Sequence, residues 1–219
     1  MNTSAARARS YDSPVRRAKA DRTRAAIMTA ARGSFETRGW QGTTMREIAA
    51  SAGVAVETVY AMVGSKAEIL IRLVDVAVVG DDEPVPLRDR PEYARISKGS
   101  RAARSRAVAE LIWDVNTRIG GLERAVQQGA AVDESFAAMQ AESRARQMRG
   151  VREAFEQMGI PSPTEEQVIG ILAVTCSDVY MLLTREIGVD RETYVGWLAA
   201  TVQEHLWRGT RRGSGRQGT

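Results

Sequence analysis

Residues 43–70 read TTMREIAASAGVAVETVYAMVGSKAEIL. Thr44 followed three residues later by Glu47 has the spacing of a capping box, in which a hydroxyl and a carboxylate each satisfy an orphan amide at a helix start. Met45, Ile48, Ala49 and Ala52 then recur at three- and four-residue steps, which predicts a short helix with an apolar inner face. Small residues at 49 and 52 let a second helix approach closely. Gly53 supplies a tight turn and Val54 plugs the joint. A second helix is expected from Val56 to Met62, with Val59 and Val63 turned inward. Ser65 and Glu68 repeat the capping pattern ahead of Ile69, Leu70, Leu73 and Val76.

The same logic extends in both directions. Ile27, Ala30, Ala31, Ser34 and Phe35 share one helical face, opened by Asp21 or Thr23 and closed by Gly39. Residues 80–91, GDDEPVPLRDRP, hold three prolines among charges and read as a linker. Val108, Leu111, Ile112, Val115, Ile119, Leu122 and Val126 form a continuous stripe. Phe136, Met139, Met148, Val151, Phe155 and Met158 mark a longer helix that ends at Gly159. Thr164 and Gln167 cap a helix over 165–186 that is apolar all round and therefore needs covering on every side. Asp190 opens the last helix, with Tyr194, Trp197, Leu198, Val202 and Leu206 on one face. The expected fold is all-α. Residues 1–20 form a disordered basic arm, 21–66 a three-helix domain with the helix-turn-helix, 67–209 a helical domain and 210–219 a disordered basic tail.

Two short helices joined by a glycine-containing turn make a helix-turn-helix, whose second helix enters the major groove of DNA. The charge agrees. Residues 1–24 hold seven basic side chains against two acidic ones, and residues 208–219 hold four arginines and no acid, so the body between them is mildly acidic. Basic ends on such a body suit a polyanion. Cys176 stands alone, which excludes an intramolecular disulfide, and the single histidine, His205, has no cysteine near it to build a metal cluster. No metal and no cofactor are expected. The N-terminus lacks the apolar core of a signal peptide, and the most apolar run, Val168–Cys176, is short for a bilayer span, so a cytoplasmic protein without a membrane partner is expected. No catalytic triad spacing, phosphate loop or metal pair supports an enzyme.

The string I-x-x-A-A-x-x-x-F-x-x-x-G-W at Ile27–Trp40 is followed by T-T-x-x-x-I-A-x-x-A-G-V at Thr43–Val54, T-V-Y at 58–60 and G-S-K at 64–66. Together they resemble the N-terminal domain of the TetR family of transcriptional regulators over about fifty residues. The D-V-Y-x-L-L-T-R-E run at Asp178–Glu186 is similar to one subgroup of that family. Two departures stand out: Ala55 replaces the usual Ser or Thr, and Met62–Val63 replaces His-Phe. The resemblance implies a homodimer that acts as a ligand-responsive repressor on double-stranded DNA with a pseudo-palindromic operator. The alternative is a helical dimeric scaffold, or small-molecule-binding protein, whose helix-turn-helix binds DNA weakly or not at all.

By position, the resemblance assigns phosphate contacts to Thr43, Thr44, Thr58, Tyr60 and Lys66, and base contacts to Arg46, Val56, Glu57 and Ala61. It implies a dimer interface through the last two helices, with Ile169, Leu172, Tyr180, Leu183, Trp197, Leu198 and Thr201 as candidates. It also implies a small-molecule effector in the C-terminal domain. Trp113, Asn116, Met139, Met148, Cys176 and Tyr180 are the candidate lining, since sulfur and aromatic groups adapt to varied apolar ligands.

Overall fold

A computed structural model of the chain describes residues 14–207 apart from Asp82 and Pro84. The expected arm at 1–13 and the tail at 210–219 lie outside the described residues. The described residues form helices and no strand: α1 Pro14–Arg38, α2 Met45–Ala52, α3 Val56–Val63, α4 Lys66–Val79, α5 Pro91–Ala94, α6 Arg101–Ile119, α7 Glu123–Val132, α8 Glu134–Gln157, α9 Glu165–Thr175, α10 Ser177–Met181 and α11 Arg191–Trp207.

Three boundaries differ from the sequence expectation. First, α1 begins at Pro14, so residues 14–20, assigned above to the arm, are helical. The Ala, Arg and Lys of this stretch are strong helix formers, and Thr23 opens nothing: its hydroxyl donates to the Lys19 carbonyl inside the helix. Second, the stripe from Val108 to Val126 is two helices, parted at Gly120–Leu122. Third, the helix over 165–186 is interrupted at Cys176, whose backbone is extended (φ −67°, ψ 156°), and it finishes in a π-turn over Leu182–Glu186. The break frees the Thr175 carbonyl, and the buried Asn116 side chain of α6 donates to it at 3.1 Å. Buried carbonyls released from a helix ladder need such a partner.

Two cores organise the chain. The first is built by Ile27, Phe35, Ile48, Val59, Ile69 and Leu70 of α1–α4, and it runs on into Leu122, just before α7, and Phe136 of α8. Trp40 bridges the two parts, its ring centroid 6.1 Å from Phe35 and 5.3 Å from Phe136. Gly129 makes room for it, since a Cβ there would stand 3.1 Å from both Trp40 and Phe136. The second core packs α6 against α11 through Ala109, Tyr194, Leu198 and Val202, with Phe155 and Val168 beside them. Capping boxes at Thr44, Ser65 and Thr164 form as the sequence predicts.

Candidate nucleic-acid interface

The helix-turn-helix is fixed by one backbone requirement. Gly53 ends α2 at φ 68°, ψ 34°, and its amide closes back onto α2 carbonyls. A Cβ at this position would meet nothing within 4 Å, so glycine is demanded by the left-handed backbone and not by space. The turn delivers α3 with Val59 and Val63 buried in the first core. Glu57, Tyr60 and Ala61 are then left outward at three- and four-residue steps. Arg46 of α2 is exposed and makes no ion pair among the described residues. The outward surface of the motif thus carries a guanidinium, a carboxylate and a phenol around a methyl group, the mixture that reads base edges and phosphates.

Several predicted contacts are placed differently. Thr43 is 1% exposed; its hydroxyl donates to the Gly39 carbonyl at 2.7 Å and meets Ser34 Oγ at 3.1 Å. It knots the end of α1 and cannot grip a phosphate without breaking that knot. Thr44 is exposed, but its hydroxyl accepts from the Glu47 amide and pairs with the Glu47 carboxylate. The Thr44 hydroxyl and the Thr44 amide, which both donate to that carboxylate, hold the Glu47 carboxyl below its ordinary pKa, with Arg38 adding to the effect. Val56 is half-buried and packs on the first core, so it offers only part of its side chain outward. Thr58 is half-buried on α3. Ala55 caps α3 with no side-chain hydrogen bond, so the departure noted in the sequence leaves that helix start without a hydroxyl.

Lys66, at the start of α4, is the largest surprise. Its ammonium donates to the Trp40 carbonyl and lies 4.3 Å from the centre of the Trp40 ring. Partial burial pulls its pKa down, against an upward pull from Asp133 and Glu47. One of its three donors is therefore committed inside the protein. The Gly39–Trp40 pair was the only signal of this arrangement in the sequence.

The other candidates separate by core. Trp113, Asn116, Cys176 and Tyr180 come together near Tyr194, whereas Met139 packs against the first core and Met148 belongs to neither. Of the interface candidates, Ile169 is 56% and Trp197 39% exposed, while Leu172, Leu183 and Thr201 are half-buried. Tyr180 and Leu198 are buried within the chain itself, at 4% and 0%, and offer no surface to a partner. Leu182, which the sequence reading passed over for this role, is 45% exposed. By length and composition alone, the 22 residues of Glu165–Glu186 are apolar enough to cross a membrane, and only 22% of that window is buried in the chain. Among the described residues no group of three or more metal-ligating side chains gathers.

A two-part, all-helical molecule with a helix-turn-helix presented at its N-terminal end has the architecture of a DNA-binding transcriptional regulator. Residues 27–73 match the family described as "Bacterial regulatory proteins, tetR family". Its fold is similar to that of a TetR-family transcriptional regulator from Mesorhizobium loti MAFF303099 (TM-score 0.61, 17% identity, covering 87% of this chain and 96% of that one). A TetR-family regulator from Rhodococcus sp. is similar as well (TM-score 0.61, 14% identity, 85% and 99% covered). So is a transcriptional regulator from Pseudomonas aeruginosa PAO1 (TM-score 0.61, 18% identity, 86% and 92% covered). A comparison with curated proteins gave no match.

Proposed function

We propose that the chain is a ligand-responsive repressor that binds a pseudo-palindromic operator as a homodimer. The outward row of α3 carries this reading: Glu57, Tyr60 and Ala61 face away from a helix whose other side is locked by Val59 and Val63. Arg46 extends that row from α2. Tyr60, Thr58, the α2 start at Thr44 and the uncommitted donors of Lys66 serve the phosphates; Thr43 is withdrawn. Glu57 accepts from a cytosine amino group, and Ala61 packs on a thymine methyl.

The dimer is supported by apolar surface that the subunit itself leaves bare. Ile169 on α9, Leu182 in the π-turn and Trp197 on α11 are exposed, and large apolar side chains left bare in this way suit an interaction surface. A second copy covers it with closed twofold symmetry. That symmetry matches two half-sites one helical turn, ~34 Å, apart. A repressor answers its effector through α4, which belongs to the first core and whose end is held by Arg118 of α6. Duplexes selected from a random pool test the reading. The expected product is an inverted repeat whose binding falls steeply with salt, because several phosphate contacts release counterions. An unsymmetrical product, or no enrichment, overturns it in favour of a scaffold.

A further inference from the structure

Resting on the DNA-binding reading above, we propose that the first two turns of α1 form a second DNA contact. Arg16, Lys19 and Arg22 grip phosphates of the duplex beyond the reach of α2 and α3.

Helix α1 is longer than its packing requires. Its burial begins at Ile27, and Ile27, Met28, Ala31 and Phe35 fix it in the first core. Residues 15–22 are exposed throughout. The ties of α1 to the C-terminal helices fall near its other end. Arg32 donates to the Arg118 carbonyl, the Thr37 carbonyl accepts from Arg124, and Glu36 stands close to Gly121. At about 1.5 Å of rise per residue, Arg16 lies ~24 Å along the axis from Arg32. The overhang thus runs out from the core that carries the helix-turn-helix, away from α6 and α7. Two turns of helix that pack on nothing are marginal in water, and a partner that neutralises their crowded positive charge would hold them.

The side chains select that partner. Arg16, Lys19 and Arg22 recur at three-residue steps and share one side of the helix. Asp21, the single acid of residues 15–24, stands at least about 100° round the axis from each of them. Arg16 and Lys19 make no ion pair among the described residues. Arg22 commits only its Nε, to the Ala18 carbonyl at 3.2 Å. Val15 is the one large apolar side chain of this stretch, so there is no apolar face to bury in a membrane surface or against a second copy. Cationic side chains without apolar neighbours match phosphates, which they hold whatever the base sequence.

The test compares the full-length chain with two triple variants. One carries Arg16→Gln, Lys19→Gln and Arg22→Gln. The other, a charge-matched control in the C-terminal part, carries Lys98→Gln, Arg144→Gln and Arg149→Gln. All six positions are exposed, and glutamine keeps the helix propensity, so melts by circular dichroism should superimpose. A duplex recovered from a random pool and an unrelated duplex of equal length are titrated from about 50 to about 200 mM salt. The overhang variant is expected to reduce the slope of log affinity against log salt by about 2.7 per chain bound, three phosphates at ~0.9 each. That fourfold rise in salt should then cost the parent about 40-fold more affinity than the variant. The loss should be equal on both duplexes, and selection repeated with the variant should return the same bases. An unchanged slope, a loss confined to the selected duplex, or an equal fall in the control overturns the proposal. So does self-association lost in sedimentation with the slope intact, which would give the segment to a second copy. A parent that binds no duplex sinks the proposed function and this contact together, whereas a parent that binds with a slope the overhang variant does not move sinks this contact alone.

Discussion

Tyr60→Phe and Lys66→Met separate two residues that the sequence treats alike. Tyr60 is 54% exposed, and no hydrogen bond among the described residues holds its hydroxyl. Removing that oxygen should change stability by less than about 0.5 kcal/mol, as for most surface changes. It should weaken duplex binding roughly two- to tenfold, the worth of one neutral hydrogen bond. Lys66 is different because its ammonium holds the Trp40 carbonyl and ring. A hydrogen bond from a charged donor is worth about 1.5–3 kcal/mol, and a partly exposed cation–π contact about 0.5–1 kcal/mol. The burial that lowers the Lys66 pKa opposes both gains. The net loss for Lys66→Met is therefore about 1–2 kcal/mol, or roughly 2–8 °C in Tm for a domain of this size. The lysine also carries charge, so its loss should reduce the slope of log affinity against log salt by ~0.9, where Tyr60→Phe leaves the slope alone. Thermal melts by circular dichroism, with duplex titration at several salt concentrations, give both readouts. If Lys66→Met melts with Tyr60→Phe, the contact with Trp40 contributes nothing and the reasoning fails. If its salt slope is unchanged, the phosphate role goes instead.

Ala55→Ser should add about 1 kcal/mol, measured by urea unfolding, because the position already has the extended backbone of an N-cap (φ −72°, ψ 152°) and lacks only the hydroxyl. Burial pushes the Tyr194 hydroxyl from 10.0 up to about 12. The folded state thus holds this proton more tightly than the unfolded state, and the stability tied to it is complete below pH 10.0 and is lost as the pH rises to about 12. Tyr194→Phe should flatten that alkaline loss in a series of urea midpoints, and a curve superimposable on the parent would refute the assignment. Ile169→Glu and Trp197→Glu should yield a helical monomer by sedimentation, since both side chains are exposed in the subunit, whereas Leu198→Glu should prevent folding because it buries an unpaired charge. A monomer that had lost its helicity, or an unchanged dimer, would move the interface elsewhere.

The helix-turn-helix was legible because its rules are local. Capping boxes at Thr44 and Ser65 operate over three residues, and the Gly53 turn is demanded by backbone conformation alone. What the sequence hid depends on residues distant along the chain. Thr43 looks like any helix-start threonine until Ser34 and the Gly39 carbonyl close on its hydroxyl. The interruption at Cys176 has neither Gly nor Pro to announce it. It is tolerated because Asn116, fifty-nine residues away, satisfies the carbonyl it frees. Tyr180 fell among the interface candidates because an all-round apolar helix does not say which of its faces its own chain covers, and Leu198 because the apolar face of the last helix, read as free for a partner, is buried within the chain itself.

The joint between the two cores follows the same logic. Arg32 of α1 donates to the Arg118 carbonyl at 2.7 Å, and Arg118 in turn donates to the Ala77 and Val78 carbonyls at the end of α4, at 2.7 and 3.3 Å. Arg124 reaches the Thr37 carbonyl, and Gln128 receives the Trp40 amide. In each link a long polar side chain holds main-chain groups, so no complementary residue pair is written in the sequence. The arrangement also links the two cores. Arg118 sits on α6 two residues beyond Asn116 and one beyond Thr117, the groups that tie α6 to Thr175 and Tyr180. Arg118 thus ties the end of α4 to the same stretch of α6 that holds Thr175 and Tyr180. Because α4 begins at Lys66, against Trp40 and directly after α3, one helix connects that clamp to the helix-turn-helix.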